Sequence, residues 1–343
     1  MPVDIDYVVG VLMRLLAVPS PTGSTAKAIA LVESEFEKLG VHTEVTAKGA
    51  LLATFPGLNT QKHRAIVAHI DTLGAMVKEI KQNGRLKITT LGGYNMHSVE
   101  GEYCVVESLG GKTYTGTLLS DRSSVHVYKD AETHERKPEN MEIRLDEKVS
   151  SVEHVRDLGI EIGDFVHFDT RAELTQSGFI KSRHLDDKAG VAVLLGVAKH
   201  LVNHQPAATT HLFVSNFEEV GHGASCGIPT ATEEIIALDM GAIGEGQNSD
   251  EFSVSICAKD SSGPYDLELR KVLVSVAQHE QIAYKLDIYP FYGSDASAAL
   301  RAGYNARASV VGPGIDASHS YERTHKDALL NTCRLLNAYL ARA

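Results

Sequence analysis

The chain has 343 residues, of which 43% are hydrophobic and 22% charged, enough for one large domain or two smaller ones around a sizeable core. Its net charge of −11 excludes nucleic acid as the main partner, since phosphate binding needs a clustered basic face, and no stretch approaches the roughly 20 apolar residues of a membrane span. The N-terminal Met-Pro-Val-Asp-Ile-Asp lacks the basic and apolar regions of a signal peptide, and the four cysteines form no Cys-x-x-Cys pair, so a reducing, cytoplasmic location is expected.

The spacing of Val8, Val9, Val11, Leu12, Leu15 and Leu16 predicts an amphipathic helix over 4–17, ended by Pro19. Ser-Pro-Thr-Gly at 20–23 reads as a turn, and helical signals then resume up to Leu39, with Gly40 as a stop. Strand-like runs follow at 42–47, 50–55 and 64–70. Between 76 and 168 the texture changes to short β-branched runs split by Asn83-Gly84, Gly92-Gly93, Gly110-Gly111 and Gly163-Asp164, with helical spacing only at 151–158. The reading is a small β-rich module at 75–167 inserted into a domain made of 1–74 and 168–343.

The second half returns to alternation. Residues 187–203 form a nearly all-apolar helix, as expected of one buried against a sheet. Strands at 210–217, 234–239, 252–257, 284–290 and 306–311 are separated by helices near 264–283, 294–302 and 325–341, and Gly312-Pro313-Gly314 is read as a strand break. The fold class is therefore α/β, a mostly parallel sheet covered by helices. In such sheets ligands collect at the carboxyl ends of the strands.

Several chemistry-bearing segments fall at those ends. His69 and Asp71 close the apolar run from Arg64 and share a strand face, so His69 can bind a metal while Asp71 orients it. A metal-free His-Asp hydrogen bond is the alternative. Asp186-Asp187 precedes the buried helix: Asp187 reads as a helix cap, Asp186 as a carboxylate whose two oxygens reach two cations. Glu218-Glu219 follows the run Leu212–Phe217. It is either a solvated loop or a metal ligand beside a general base. Leu238-Asp239 ends another apolar run, Gly293-Ser294-Asp295-Ala296 sits where a helix cap belongs, and His319-Ser320 lies near the C-terminus. With 16 histidines in the chain, no single one carries weight.

The ordered set Ala-His-x-Asp, Leu-Asp-Asp, Glu-Glu-Val-Gly, Leu-Asp, Gly-Ser-Asp-Ala, His-Ser closely resembles the M42 family of metallo-aminopeptidases, which includes glutamyl and leucyl aminopeptidases that assemble into tetrahedral cages. The resemblance spans nearly the whole chain. Gly92-Gly93-Tyr94 and Gly116–Ser120 look like that family's β-rich dimerisation domain. It implies a zinc-exopeptidase-like fold and metal ligands His69, Asp186 (bridging), Glu219, Asp239 and His319. Glu218 becomes the general base and Asp71 the supporting carboxylate. Two divalent ions per subunit are implied, Zn²⁺ or else Co²⁺ or Mn²⁺, since imidazole and carboxylate donors suit all three. The implied reaction is removal of N-terminal residues from a peptide or dipeptide-like substrate by a homo-oligomer, dimer-based up to a dodecamer.

This chain has Asp316-Ala-Ser-His319-Ser-Tyr-Glu322 where the family usually has Arg-Tyr-x-His-Ser/Thr-Pro-Val-Glu, and Lys188 where Arg or Asn is common. The ending Ser-His-Ser-Tyr-Glu-Arg-Thr-His resembles members associated with bacterial osmoprotectant dipeptide gene clusters. A deacylase or carboxypeptidase acting on N-acyl or modified dipeptides keeps the same site with a different substrate. A metal-free binding protein on the same fold is the rival from another class. His325, six residues after His319, is the competing candidate for the last ligand, with Thr324 placed to cap the final helix.

Overall fold

The apolar stripe of the first helix is realised over Ile5–Leu16, with the Asp4 side chain accepting from Tyr7 N to cap it. The structure, a computed structural model, describes residues 3–343. The described residues up to Asp71 join Arg171–Ala343 in one compact unit, and Thr72–Thr170 forms a second. No helix among the described residues is long and apolar enough to cross a membrane.

The first unit is built on a ten-stranded sheet. Its centre is parallel: Ala208–Ser215, Asn59–His69, Thr232–Leu238 and Arg307–Ile315 lie side by side in that order. Alternation along Asn59–His69 sends Ile66 and Ala68 into one buried cluster and Ala65 and Val67 into another, so both faces of the sheet are covered. Leu185–Leu201, Ile5–Leu16 and Lys326–Leu340 pack on the first face, while Ala299 of the helix Asp295–Arg301 belongs to the second cluster.

The sheet is more mixed than the sequence suggests. Leu51–Phe55 runs antiparallel to Ala208–Ser215, because the link 56–58 to the next strand is too short for a crossover helix. Val254–Asp260 is also antiparallel to Arg307–Ile315. The expected break at Gly312-Pro313-Gly314 does not occur. The strand continues to Ile315, with Gly312 opposite Ser255 and Pro313 opposite Val254. A Cβ at Gly312 would collide with the backbone of Asp239, so the missing side chain is what lets the two segments touch.

In the second unit six strands close into a barrel, in the order Gly74–Ile80, Leu86–Leu91, Met141–Leu145, Thr113–Ser120, Tyr103–Glu107, Phe165–Phe168. Val77, Leu86, Ile88, Val106, Leu118, Ile143 and Val166 fill it. The helical spacing at 151–158 gives the short helix Val152–Asp157, capped by Ser151.

Candidate metal centre

Parallel strands that end level with one another bring their last residues together, and here those residues are polar. His69 closes its strand fully buried, with Nε2 3.2 Å from Asp186 Oδ1. Its Nδ1 lies 3.0 Å from the backbone carbonyl of Asp71 and 3.6 Å from the carboxylate. The sequence reading gave the orienting role to the Asp71 side chain; the closer partner is the backbone carbonyl. The Asp71 carboxylate instead accepts from Thr22 Oγ1 (2.7 Å) and from the backbone amides of Glu218 (3.1 Å) and Glu219 (3.2 Å). It therefore holds the glutamate loop as much as the imidazole.

Asp186 and Asp187 open the helix Leu185–Leu201 in non-helical conformations, joined by a cis peptide bond. Asp187 Oδ1 accepts from Gly190 N at 3.1 Å, the capping geometry expected of it, and Oδ2 accepts from His69 N at 3.2 Å. That frees Asp186 to face the centre with both oxygens: Oδ1 toward His69, and Oδ2 3.3 Å from His319 Nε2. His69, Asp186 and Asp239 each offer one donor atom, all within 4.8 Å of one another. On the other side of Asp186, His319 Nε2 is 3.6 Å from Glu219 Oε2. Glu218 turns the other way, with Oε2 3.7 Å from His69 Nε2.

The competing histidine is occupied elsewhere. His325 Nδ1 accepts from Asp327 N (3.1 Å) and so caps the last helix itself, while its Nε2 lies 2.8 Å from the Ser177 carbonyl. Thr324, expected as the cap, donates to the Gly314 carbonyl instead.

Burial makes the charged forms of these acids costly. Burial pushes Glu219 up to about 8, with Asp186 adding to the effect against the pull of His319. Burial and Asp186 push Asp239 up to about 7. Burial also drives Asp187 and Glu218 well above the carboxylate range. Only Asp186 goes the other way: hydrogen bonds from His319 and His69 outweigh its burial and hold it well below that range. His69 is held well above 6.5 because Asp186 and Asp71 outweigh the burial that would lower it. Acids crowded out of water in this way call for cations. Glu219 Oε1 is buried with no hydrogen-bond partner, an orphaned acceptor whose lone pairs a metal ion would satisfy. A set of imidazoles and carboxylates without thiolate fits Zn²⁺, Co²⁺ or Mn²⁺.

The centre opens into a cavity of about 520 Å³, whose lining also includes Met240, Ala242, Tyr289, Phe291 and Tyr292. Two further buried acids lie beside the centre: Asp295, read from sequence only as a possible helix cap, and Glu322, given no role there. Asp295 accepts from Ala224 N at 2.7 Å and from the Ser215 hydroxyl, bracketing the segment that carries Glu218 and Glu219. Ser294, not Asp295, caps the helix, in a capping box with Ser297. Glu322 accepts from the backbone amides of Asp186 and His319. The one available signal was an acid placed within three residues of a candidate ligand or cap.

The family model described as M42 glutamyl aminopeptidase matches residues 49–335. The chain is 55% identical over 95% of its own length and 95% of the other's to a Bacillus subtilis (strain 168) protein named "Putative aminopeptidase YhfE". An aminopeptidase structure from the archaeon Desulfurococcus kamchatkensis superimposes with a TM-score of 0.89, at 21% identity, over 99% of this chain and 96% of that one. The TET1 peptidase of Pyrococcus horikoshii, described as able to assemble into a tetrahedron or a large octahedral shell, gives 0.87 at 21% identity over 98% and 100%. These two likenesses establish the shared fold. Together with the family match over most of its length and the close Bacillus relative, they make the chain a member of the M42 glutamyl aminopeptidase family, a hydrolytic peptidase.

Proposed function

We propose that the protein is a two-metal aminopeptidase in which Asp186 would be shared between the two ions and Glu218 is the general base. The observation that carries this reading is the division of Asp186: one oxygen faces His69, beside Asp239, and the other faces His319, beside Glu219. One ion would be held by His69, Asp239 and Asp186, the other by His319, Glu219 and Asp186. When bound, such a pair supplies Lewis acidity toward the scissile carbonyl and makes water more acidic.

The chain's own residues do the rest. Glu218 Oε2 takes a proton from the attacking water as its oxygen bonds to the carbonyl carbon. It returns that proton to the leaving nitrogen as the C–N bond breaks, so the carboxyl ends as it began. Asp71 holds the Glu218 amide, and Asp295 holds Ser215 and Ala224 on either side of the segment that carries it. The cavity's volume suits a short peptide end, with Tyr292 and Met240 forming the wall near Asp239. Likeness to cage-forming peptidases supports self-association of this chain as well.

Elemental analysis of the purified protein tests the metal half of the proposal, with two equivalents per chain expected. Matched peptides with free and acetylated N-termini test the reaction. Hydrolysis confined to free N-termini is expected. Preference for the acetylated set would reassign the enzyme as a deacylase.

A further inference from the structure

Glu322 opens the strand Glu322–His325, which pairs antiparallel with Phe179–Ser182 so that Glu322 sits opposite Ser182. The chain leaves His319 just before that point on one strand and reaches Asp186 just after it on the other. The ladder thus delivers one carboxylate to two segments far apart in sequence. Glu322 is 2% exposed, with Oε2 3.1 Å from Asp186 N and Oε1 3.0 Å from His319 N. Both oxygens are used, one on each backbone.

The segment held in this way needs holding. Ala317 has φ 55° and His319 φ 62°, left-handed conformations that residues with a Cβ adopt only when their surroundings impose them. Arg183, buried on the neighbouring loop, adds a hydrogen bond to the Ser320 carbonyl at 3.2 Å. With the two backbones pinned to one carboxylate, the side chains they carry meet at 3.3 Å, His319 Nε2 to Asp186 Oδ2.

We infer that Glu322 is a positioning residue for one half of the centre. By fixing the backbone of His319 against that of Asp186, it sets the affinity for the ion between His319, Glu219 and Asp186 Oδ2. The His69–Asp239 half shares only Asp186 with it, and its other two residues close parallel strands, so it depends on Glu322 less. This rests on the two-ion reading above. Gln at this position offers one carbonyl acceptor and one amide donor, so it keeps at most one of the two bonds. Ala keeps neither. Losing a group that orients a metal ligand commonly weakens metal binding about 10–100-fold.

The test is a calorimetric Zn²⁺ titration of the metal-stripped full-length protein, checked by elemental analysis after dialysis. Wild type should take up two equivalents. Glu322→Ala should keep one equivalent close to wild-type affinity and bind the other about 10–100-fold more weakly, with a smaller loss in Glu322→Gln. Far-UV circular dichroism of each metal-free variant checks the fold, and Glu322→Gln, being isosteric, carries the test if the alanine variant does not fold. Wild-type affinity for both equivalents in the variants, or equal weakening of both, overturns the positioning role. Fewer than two equivalents in the wild type overturns the two-ion reading instead.

Discussion

Glu218 and Glu219 are adjacent in sequence, both have their amides on Asp71, and yet their carboxylates face different imidazoles. That divergence gives each substitution its own signature. Glu218→Gln removes a proton carrier and no proposed ligand, so it should retain metal and lose turnover by about 10²–10⁴-fold. Glu219→Ala should deplete metal instead. Steady-state rates and metal content on the same preparations separate the two, and near-normal turnover in Glu218→Gln would remove it as the base. At this scale, the polar residues that converge were most legible where they end an apolar run, as His69 and Asp239 do. The partners of Asp71, Asp295 and Glu322 were not. Each of these acids accepts from backbone amides, and which amides come within reach depends on how loops fold back.

Elements were legible wherever burial follows a period, and the exceptions have local causes. Gly312-Pro313-Gly314 has the composition of a break, since both residue types weaken a strand. The strand persists because Gly312 lets the Asp239 backbone come closer than any Cβ allows. Gly312→Ala should therefore cost about 1–3 kcal/mol, the usual range for overpacking. A lowered urea midpoint would show it. An unchanged midpoint would mean the Asp239 segment can move aside.

A second element-scale feature joins three strands. His211 lies between Thr54 Oγ1 (3.0 Å) and the ring of His63 (2.9 Å). Burial, and then His63, push His211 from 6.5 down to about 4. Between those values the unfolded chain binds a proton that the folded chain does not. The pair's contribution is whole above pH 6.5 and is lost as pH falls from there toward 4. Denaturation at pH 7.5 and 5 should show lower stability at the acidic pH, with a smaller drop in His211→Gln. The same drop in both proteins would assign it to other groups.

Across the whole chain, the β-rich texture of 76–168 was legible from its turn signals, but closure was not, because pairing the first strand with the last is a long-range choice. Closure changes the argument for self-association. Short strands read from sequence suggest open edges that a second copy would cover. A closed barrel has no such edges, so association through this unit has to use side chains. Leu109 is 97% exposed and Ile162 63% exposed. Their loops are neighbours, since Leu109 N donates to Asp164 Oδ1 at 3.0 Å and Glu107 pairs with Phe165. Tyr103 adds a third exposed side chain at the far end of the same strand. Apolar side chains left in water together mark a contact surface more often than an accident of packing. The expected outcome is an oligomer by light scattering at micromolar concentration. Leu109→Asp combined with Ile162→Asp should shift it to smaller species while the metal content of the first unit stays unchanged. A monomeric wild type refutes self-association altogether. An oligomer that the double substitution leaves intact moves the contact to another face.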